Sequence, residues 1–178
     1  HFILVSDVLE TLQDLARYHR KQLSIPVIGI TGSNGKTTTK ELIRSVLSQQ
    51  FKTFATEGNL NNHIGVPLSI LSIDDGCEIA IIEMGANHQK EIGFLCGIAQ
   101  PTQGLITNVG KAHLEGFGGI EGVRIGKGEL YEFLKSSNGV AFINTNDAIL
   151  TGMAREKGLK NLIGYGEGNE NFISAKLK

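Results

Sequence analysis

Neither sign of charge dominates this chain: 17 Lys and Arg stand against 18 Asp and Glu, a formal net charge of −1 at pH 7. With no basic excess to neutralise a run of phosphates, nucleic acid is not expected as the main partner. No apolar run approaches the ~20 residues that a membrane-spanning helix needs. The apolar opening from His1 to Val5 is short and lacks a charged leader, so no signal peptide is expected. Cysteine is scarce. Cys77 and Cys96 are the only two and do not form a C-x-x-C pair, which points to buried reduced thiols in a cytoplasmic protein. Internal repeats and low-complexity segments are absent as well.

What is present suits one globular domain: 178 residues, 40% hydrophobic and 20% charged, enough to bury a proper core. The 23 glycines gather around candidate ligand loops, as expected where backbone must come close to a ligand. The chain starts without Met on an apolar tetrad and stops at Lys178, after a strand-like run over 171–177. The expectation is a piece of a longer protein, with residues 1–24 as a lead-in helix and linker and 25–178 as the main domain.

The most informative stretch is Ile28 to Thr38. A β-branched run (Ile25, Val27, Ile28, Ile30) ends in a glycine-rich turn. A segment with apolar residues at 42, 43, 46 and 47 follows, the spacing of one helix face. Strand, glycine loop, Lys-Thr and helix form a phosphate-binding layout. The glycines let successive N–H groups face an anion, and the helix N-terminus adds partial positive charge. Lys36 then reaches the terminal phosphates, and the Thr37 hydroxyl is a magnesium ligand. The common motif places Gly at the position of Ile30, whereas the glycines here stand at 29, 32 and 35. The alternative is an ordinary turn with a solvated lysine.

Along the rest of the chain, Ser6 or Asp7 caps a helix over 8–21, with Glu10 as capping-box partner and Val8, Leu12, Leu15 and His19 on the packed face. The pattern predicts strands over 25–30, 51–55, 78–82, 104–109, 139–143 and 162–166. Helices are predicted over 37–49, 67–73, 89–98, 120–134 and 148–157. Glu57 to Pro67 is dense in Asn, and composition favours turns over a ligand loop there. Glu83 lies at a strand's carboxyl end, where a magnesium site wants an acid. His113 lies past another strand end on the same rim. Lys127 reads as an exposed helix lysine. The Gly164, Gly166, Gly168 series precedes no helix and carries no dinucleotide signal. The alternation predicts an α/β fold, a mostly parallel sheet with helices on both faces. Its polar strand ends at 31–37, 83, 108–113 and 144–147 make one rim and one site.

Four stretches together, Gly29 to Thr38, Glu57 to Pro67, Ile82 to Ala86 and Thr107 to Gly118, resemble the central ATP-binding domain of the Mur ligase family. The match runs from about residue 7 to 170. The family's loop has glycines at these places and none at position 30. Within the family, the second, third and fourth stretches are similar to the branch that joins D-alanyl-D-alanine to UDP-N-acetylmuramoyl-tripeptide in peptidoglycan synthesis.

The resemblance implies that Gly32, Ser33, Asn34, Gly35, Lys36, Thr37 and Thr38 wrap the ATP phosphates. It places one Mg2+ on Thr37 and Glu83 and a second on His113. Fourteen positions beyond that His stands Lys127, where family members carry a lysine carboxylated to a carbamate. Asn144 is implied to face the adenine, although Asn-Thr-Asn-Asp stands here where the family has Asn-Ala-Asp-Asp. Asn59, Asn61 and Asn62 are implied to approach the sugar-peptide substrate.

The implied chemistry is carboxylate activation by ATP to an acyl phosphate, followed by amine attack. Lys36 and two magnesium ions would screen two approaching anions. Family members carry a domain before and a domain after this one, so the isolated piece is expected to be inactive and monomeric. The rival readings are a folylpolyglutamate synthase-like or single-amino-acid-adding ligase, against which the stretch from Gly58 to Pro67 argues, and a non-catalytic nucleotide-binding module.

Overall fold

The computed structural model describes residues 2–111, 113–168 and 171–174. Along the chain run α1 (Val8–Gln22), β1 (Val27–Thr31), α2 (Lys36–Leu47), β2 (Thr53–Ala55), α3 (Gly65–Leu71), β3 (Ile79–Glu83) and α4 (Glu91–Ala99). There follow β4 (Gln103–Ile106), α5 (Leu114–Phe117), α6 (Ile120–Ser136), β5 (Val140–Asn144), α7 (Ala148–Lys157), β6 (Leu162–Gly166) and β7 (Ile173–Ser174). The strand expected over 171–177 is present only as β7, and positions 175–177 lie outside the described residues.

The seven strands form one sheet in the order β2-β3-β1-β4-β5-β6-β7, and every neighbouring pair is parallel. The chain steps from β1 outward to β2 and β3, then crosses to β4 on the other side. Strand order therefore reverses at β1. The crevice beyond the carboxyl ends of β1 and its neighbours is where such sheets take their ligands.

Strand parity sorts the core into two unequal layers, because successive side chains point to opposite faces. Val27, Ala80, Ile82, Ile106, Ala141 and Ile143 meet apolar residues of α1, α3, α4, α6 and α7. On the other face Ile28, Ile30, Ile81 and Leu105 meet Ile43 and Leu47 of α2. The parity that turns Ile79 and Ile81 toward α2 also turns Glu83 toward it. Thus the sheet delivers the one acidic strand end to the phosphate-loop helix.

Three expectations are corrected here. On α1 the Asp7 cap holds, with Glu10 N–H donating to Asp7 Oδ1 at 2.7 Å, but the helix is rotated from the predicted face. Gln13, Ala16 and Arg20 are buried, whereas Val8 and Leu15 are exposed. Arg20 explains the rotation, since its guanidinium donates to the carbonyls of Leu23, Ala99 and Gln100 at 2.8–3.0 Å. It thereby ties α1 to the end of α4. On α2 only Ile43 and Leu47 of the four apolar positions pack inward, and Leu42 and Val46 are exposed. Finally, Lys127 is 2% exposed; it belongs to the inner face of α6. Cys96 is buried and Cys77 half-buried, and both are free thiols.

Candidate functional site

The turn after β1 owes its shape to two glycines. Gly32 has φ +144°, and a Cβ there would stand 1.9 Å from Thr107 Oγ1. Gly35 starts α2 at φ +76°, a left-handed conformation that glycine adopts without penalty. The turn is laced to the segment after β4. Ser33 N–H donates to the Asn108 carbonyl at 3.1 Å, Asn34 N–H to Asn108 Oδ1 at 3.1 Å, and Thr107 Oγ1 to the Asn34 carbonyl at 2.6 Å. Gly110 N–H donates to Ser33 Oγ at 2.9 Å. Two strand ends therefore hold the loop open at the switch point, with the first turn of α2 behind it.

Lys36 folds over this loop, its Nζ donating to the carbonyls of Gly32 at 2.8 Å and Ser33 at 3.3 Å. Burial lowers its pKa from the ordinary lysine value, while the negative charge of Glu83 works in the opposite direction. One residue on, Thr37 Oγ1 donates to Glu83 Oε2 at 3.0 Å. The other carboxylate oxygen, Oε1, accepts from Asn61 Nδ2 at 2.8 Å. The Glu83 N–H donates to Thr56 Oγ1 at 3.0 Å. At 1% exposure Glu83 is buried, and each oxygen of its carboxyl group takes a hydrogen bond. Hydroxyl, carboxylate and amide oxygens are the hard donors that magnesium takes.

A cavity of 360 Å³ on this rim brings Lys36, Asn61, Asn62 and His113 together with Ala86, Glu91 and Phe94. His113 is exposed, with φ +53°, and opens α5. Lys127 stands behind the cavity wall, its Nζ 3.4 Å from the Ala86 carbonyl and 5.1 Å from the centre of the Phe117 ring. Among the described residues it makes no ion pair. Burial first, and then the charge of Lys36, bring its pKa down to about 8, opposed by Glu91 and Glu129. Among the described residues no three His, Cys, Asp or Glu side chains cluster as a ready-made metal site.

The structure divides the asparagines. Asn61 holds Glu83, and Asn62 Oδ1 accepts from the N–H groups of Ile64 and Gly65 at 3.0 and 2.8 Å, in the turn that leads into α3. Both also line the cavity. Asn59 is exposed, and its neighbour Gly58 turns at φ +52°. The stretch is thus a set of turns and a cavity wall at once. Asn144 sits at the carboxyl end of β5, outside that cavity, with its Oδ1 accepting from Asn146 N–H at 3.1 Å.

Sequence reasoning passed over Lys40, which is 1% exposed on α2. A signal was available: 36, 40, 43 and 47 fall on one helical stripe, so a lysine stands between the site and the two packed apolar residues.

Comparison with known proteins adds the following. A family model described as the Mur ligase middle domain matches residues 30–178. The UDP-N-acetylmuramoyl-tripeptide–D-alanyl-D-alanine ligase of Bacillus subtilis is 44% identical over 141 residues, covering 79% of this chain and 31% of that protein. The ligase of the same name from Rickettsia prowazekii is 37% identical over 178 residues, covering 98% of this chain and 39% of its own. Among solved structures, MurF from Acinetobacter baumannii superposes with a TM-score of 0.86 at 39% identity, over 93% of this chain and 37% of that one. MurF ligase from Thermotoga maritima, solved in complex with ADP, gives 0.83 at 37% identity, over 94% and 38%. The chain thus spans about a third of the length of the relatives it matches.

Proposed function

The chain belongs to the Mur ligase family, and from that membership we propose that it is the ATP-handling part of a ligase joining D-alanyl-D-alanine to UDP-N-acetylmuramoyl-tripeptide. Residues 1–24 lead into it and 25–178 form the nucleotide-binding unit. The observation that carries the reading is the pairing of Thr37 with buried Glu83 beside Lys36, at the carboxyl edge of a parallel sheet. A simple nucleotide-binding turn needs no buried acid on its threonine. A cation-assisted phosphoryl transfer does.

In this reading residues 32–38 wrap the phosphates, the N–H groups at the first turn of α2 hold them, and Lys36 leaves the loop carbonyls for the terminal phosphate oxygens. Thr37 and Glu83 hold one magnesium ion, a donor set that fits its preference for oxygen. His113, on the cavity wall facing Lys36, is the protein ligand for a second. A bound magnesium ion would supply charge neutralisation; the acceptor carboxylate oxygen attacks the γ-phosphorus, the bond to the bridging oxygen breaks and ADP leaves. The resulting acyl phosphate loses phosphate when the dipeptide amine attacks, leaving the amide. Asn59, Asn61 and Asn62 lie toward the acceptor, and Asn144 toward the adenine.

Lys127 fits carboxylation by its chemistry, since only a neutral amine adds carbon dioxide, and a pKa lowered to about 8 raises the neutral fraction near physiological pH far above that of an ordinary lysine. The product carbamate would place anionic oxygens behind the cavity wall.

Phosphate release by the full-length ligase tests the proposal. Release should depend on both the acceptor and the dipeptide; Glu83→Ala should abolish it and His113→Ala should lower it. Undiminished turnover in both variants would contradict the mechanism.

A further inference from the structure

Burying a lysine is costly unless its ammonium is well partnered, and Lys40 is buried in a helix whose catalytic lysine stands one turn earlier. Its Nζ donates to the carbonyl of Thr56, and Glu41 Oε1 lies 3.1 Å away. Thr56 follows β2, and its own N–H donates to the Ile81 carbonyl at 2.9 Å. Its hydroxyl in turn accepts the Glu83 N–H at 3.0 Å. These contacts close a ring. Thr37 Oγ1 binds the Glu83 carboxylate, Glu83 N–H binds Thr56, Thr56 binds Lys40, and one turn of α2 returns to Thr37.

We propose that Lys40 is a positioning residue for the divalent-cation site: by clamping α2 to the end of β2 it sets the separation of Thr37 Oγ1 and the Glu83 carboxylate. The inference rests on the reading of Thr37 and Glu83 as cation ligands. An apolar residue at 40 would fill the same stripe beside Ile43 and Leu47. It would leave the Thr56 carbonyl unpaired and let α2 slide relative to β2. Magnesium demands near-ideal geometry, so a small displacement of Thr37 from Glu83 weakens the cation while leaving the phosphate loop, which is anchored separately to Thr107, Asn108 and Gly110, as it was.

The test is calorimetric titration of ADP into the full-length ligase at a series of Mg2+ concentrations, with Lys40→Met, Thr56→Val and the double variant. Each single change is expected to raise the Mg2+ concentration for half-maximal tightening of ADP binding by about tenfold, the usual effect of removing a partner behind a metal ligand. The double variant should go no further than either single one, because both cut the same ring. ADP affinity without Mg2+ should stay unchanged.

Glu83→Gln serves as the reference. If it shifts the Mg2+ midpoint and neither Lys40→Met nor Thr56→Val does, the positioning role is overturned and the cation site stands. If Glu83→Gln leaves the midpoint in place, the cation reading falls and this inference with it. Equal loss of ADP affinity with and without Mg2+ in Lys40→Met would mark a merely structural lysine and overturn the proposal. Should Lys40→Met fail to fold, Lys40→Gln, whose side chain is one bond shorter than lysine and carries no charge, decides in its place: an unshifted Mg2+ midpoint there overturns the positioning role.

Discussion

The two sides of the rim are built to different degrees. On the α2 side, Thr37, Lys40, Thr56, Asn61 and Glu83 are joined by hydrogen bonds into one network, and the adjacent Lys36 is held on the loop carbonyls of Gly32 and Ser33. On the α6 side, His113 is exposed at the start of a four-residue helix, and Lys127 faces a carbonyl and an aromatic ring, with no ion pair among the described residues. In the proposed reading, the first side has its donors in place for a cation and a phosphate chain. The second offers an imidazole and an amine of lowered basicity, which would become a cation site only after carboxylation of the lysine. On that reading preorganisation is local to α2 and β3, and a second site would depend on modification.

The strongest way to break this contrast is to remove the acid on the finished side. Glu83→Gln keeps the Asn61 contact geometry but not the charge, and should lower kcat of the full-length ligase by about 10²–10³-fold, the range for losing one preorganised electrostatic contact. His113→Gln should cost less, because the side chain is solvated and a water can take its place. A steady-state comparison of the two variants that gave equal losses would erase the distinction drawn here.

Next in size is the stability signature of Lys127. Its folded pKa of about 8 lies below the ordinary value of 10.5. Below pH 8 it is charged in both folded and unfolded chains, and the burial penalty is fully present. Between pH 8 and 10.5 the folded protein has released the proton and the unfolded chain has not, so stability rises with pH across that window. In buffer free of carbon dioxide, denaturant unfolding should show the wild type gaining on the order of 3 kcal/mol relative to Lys127→Met over this range. A flat difference would mean the amine is not held in a desolvated place.

Smaller effects should follow at the asparagines. Asn62→Ala removes the oxygen that accepts two N–H groups at the start of α3 and should cost about 1 kcal/mol in chemical denaturation. Asn144→Ala loses one turn hydrogen bond and should cost roughly 0.5 kcal/mol, with ATP affinity changed by less than about threefold. A larger loss of ATP affinity at Asn144 than at Lys36→Ala would move the nucleotide site toward β5.

Much of this architecture is legible in the sequence, and the failures share one cause. Strands alternate with helices at spacings that demand a parallel sheet, and the glycine loop, Glu83 and His113 fall at strand ends that the topology brings to one edge. What periodicity misreads are long cationic side chains. Arg20, Lys40 and Lys127 all count as polar, yet each lays its stem in the core and rests its charged head on backbone carbonyls. That is why α1 turns away from its predicted face, why α2 buries a lysine and exposes Leu42 and Val46, and why Lys127 is inside. Backbone carbonyls have no side-chain pattern, so the partners of these cations leave no trace in composition.

The central claim is that Thr37 and Glu83 form the cation site beside the phosphate loop. Anomalous diffraction from crystals of the full-length ligase grown with ADP and Mn2+ tests it most directly. The account predicts a manganese peak at about 2.0–2.3 Å from Thr37 Oγ1, with the Glu83 carboxylate in contact directly or through one water. A nucleotide-bound structure in which Thr37 still donates to Glu83 and the manganese lies elsewhere would contradict it.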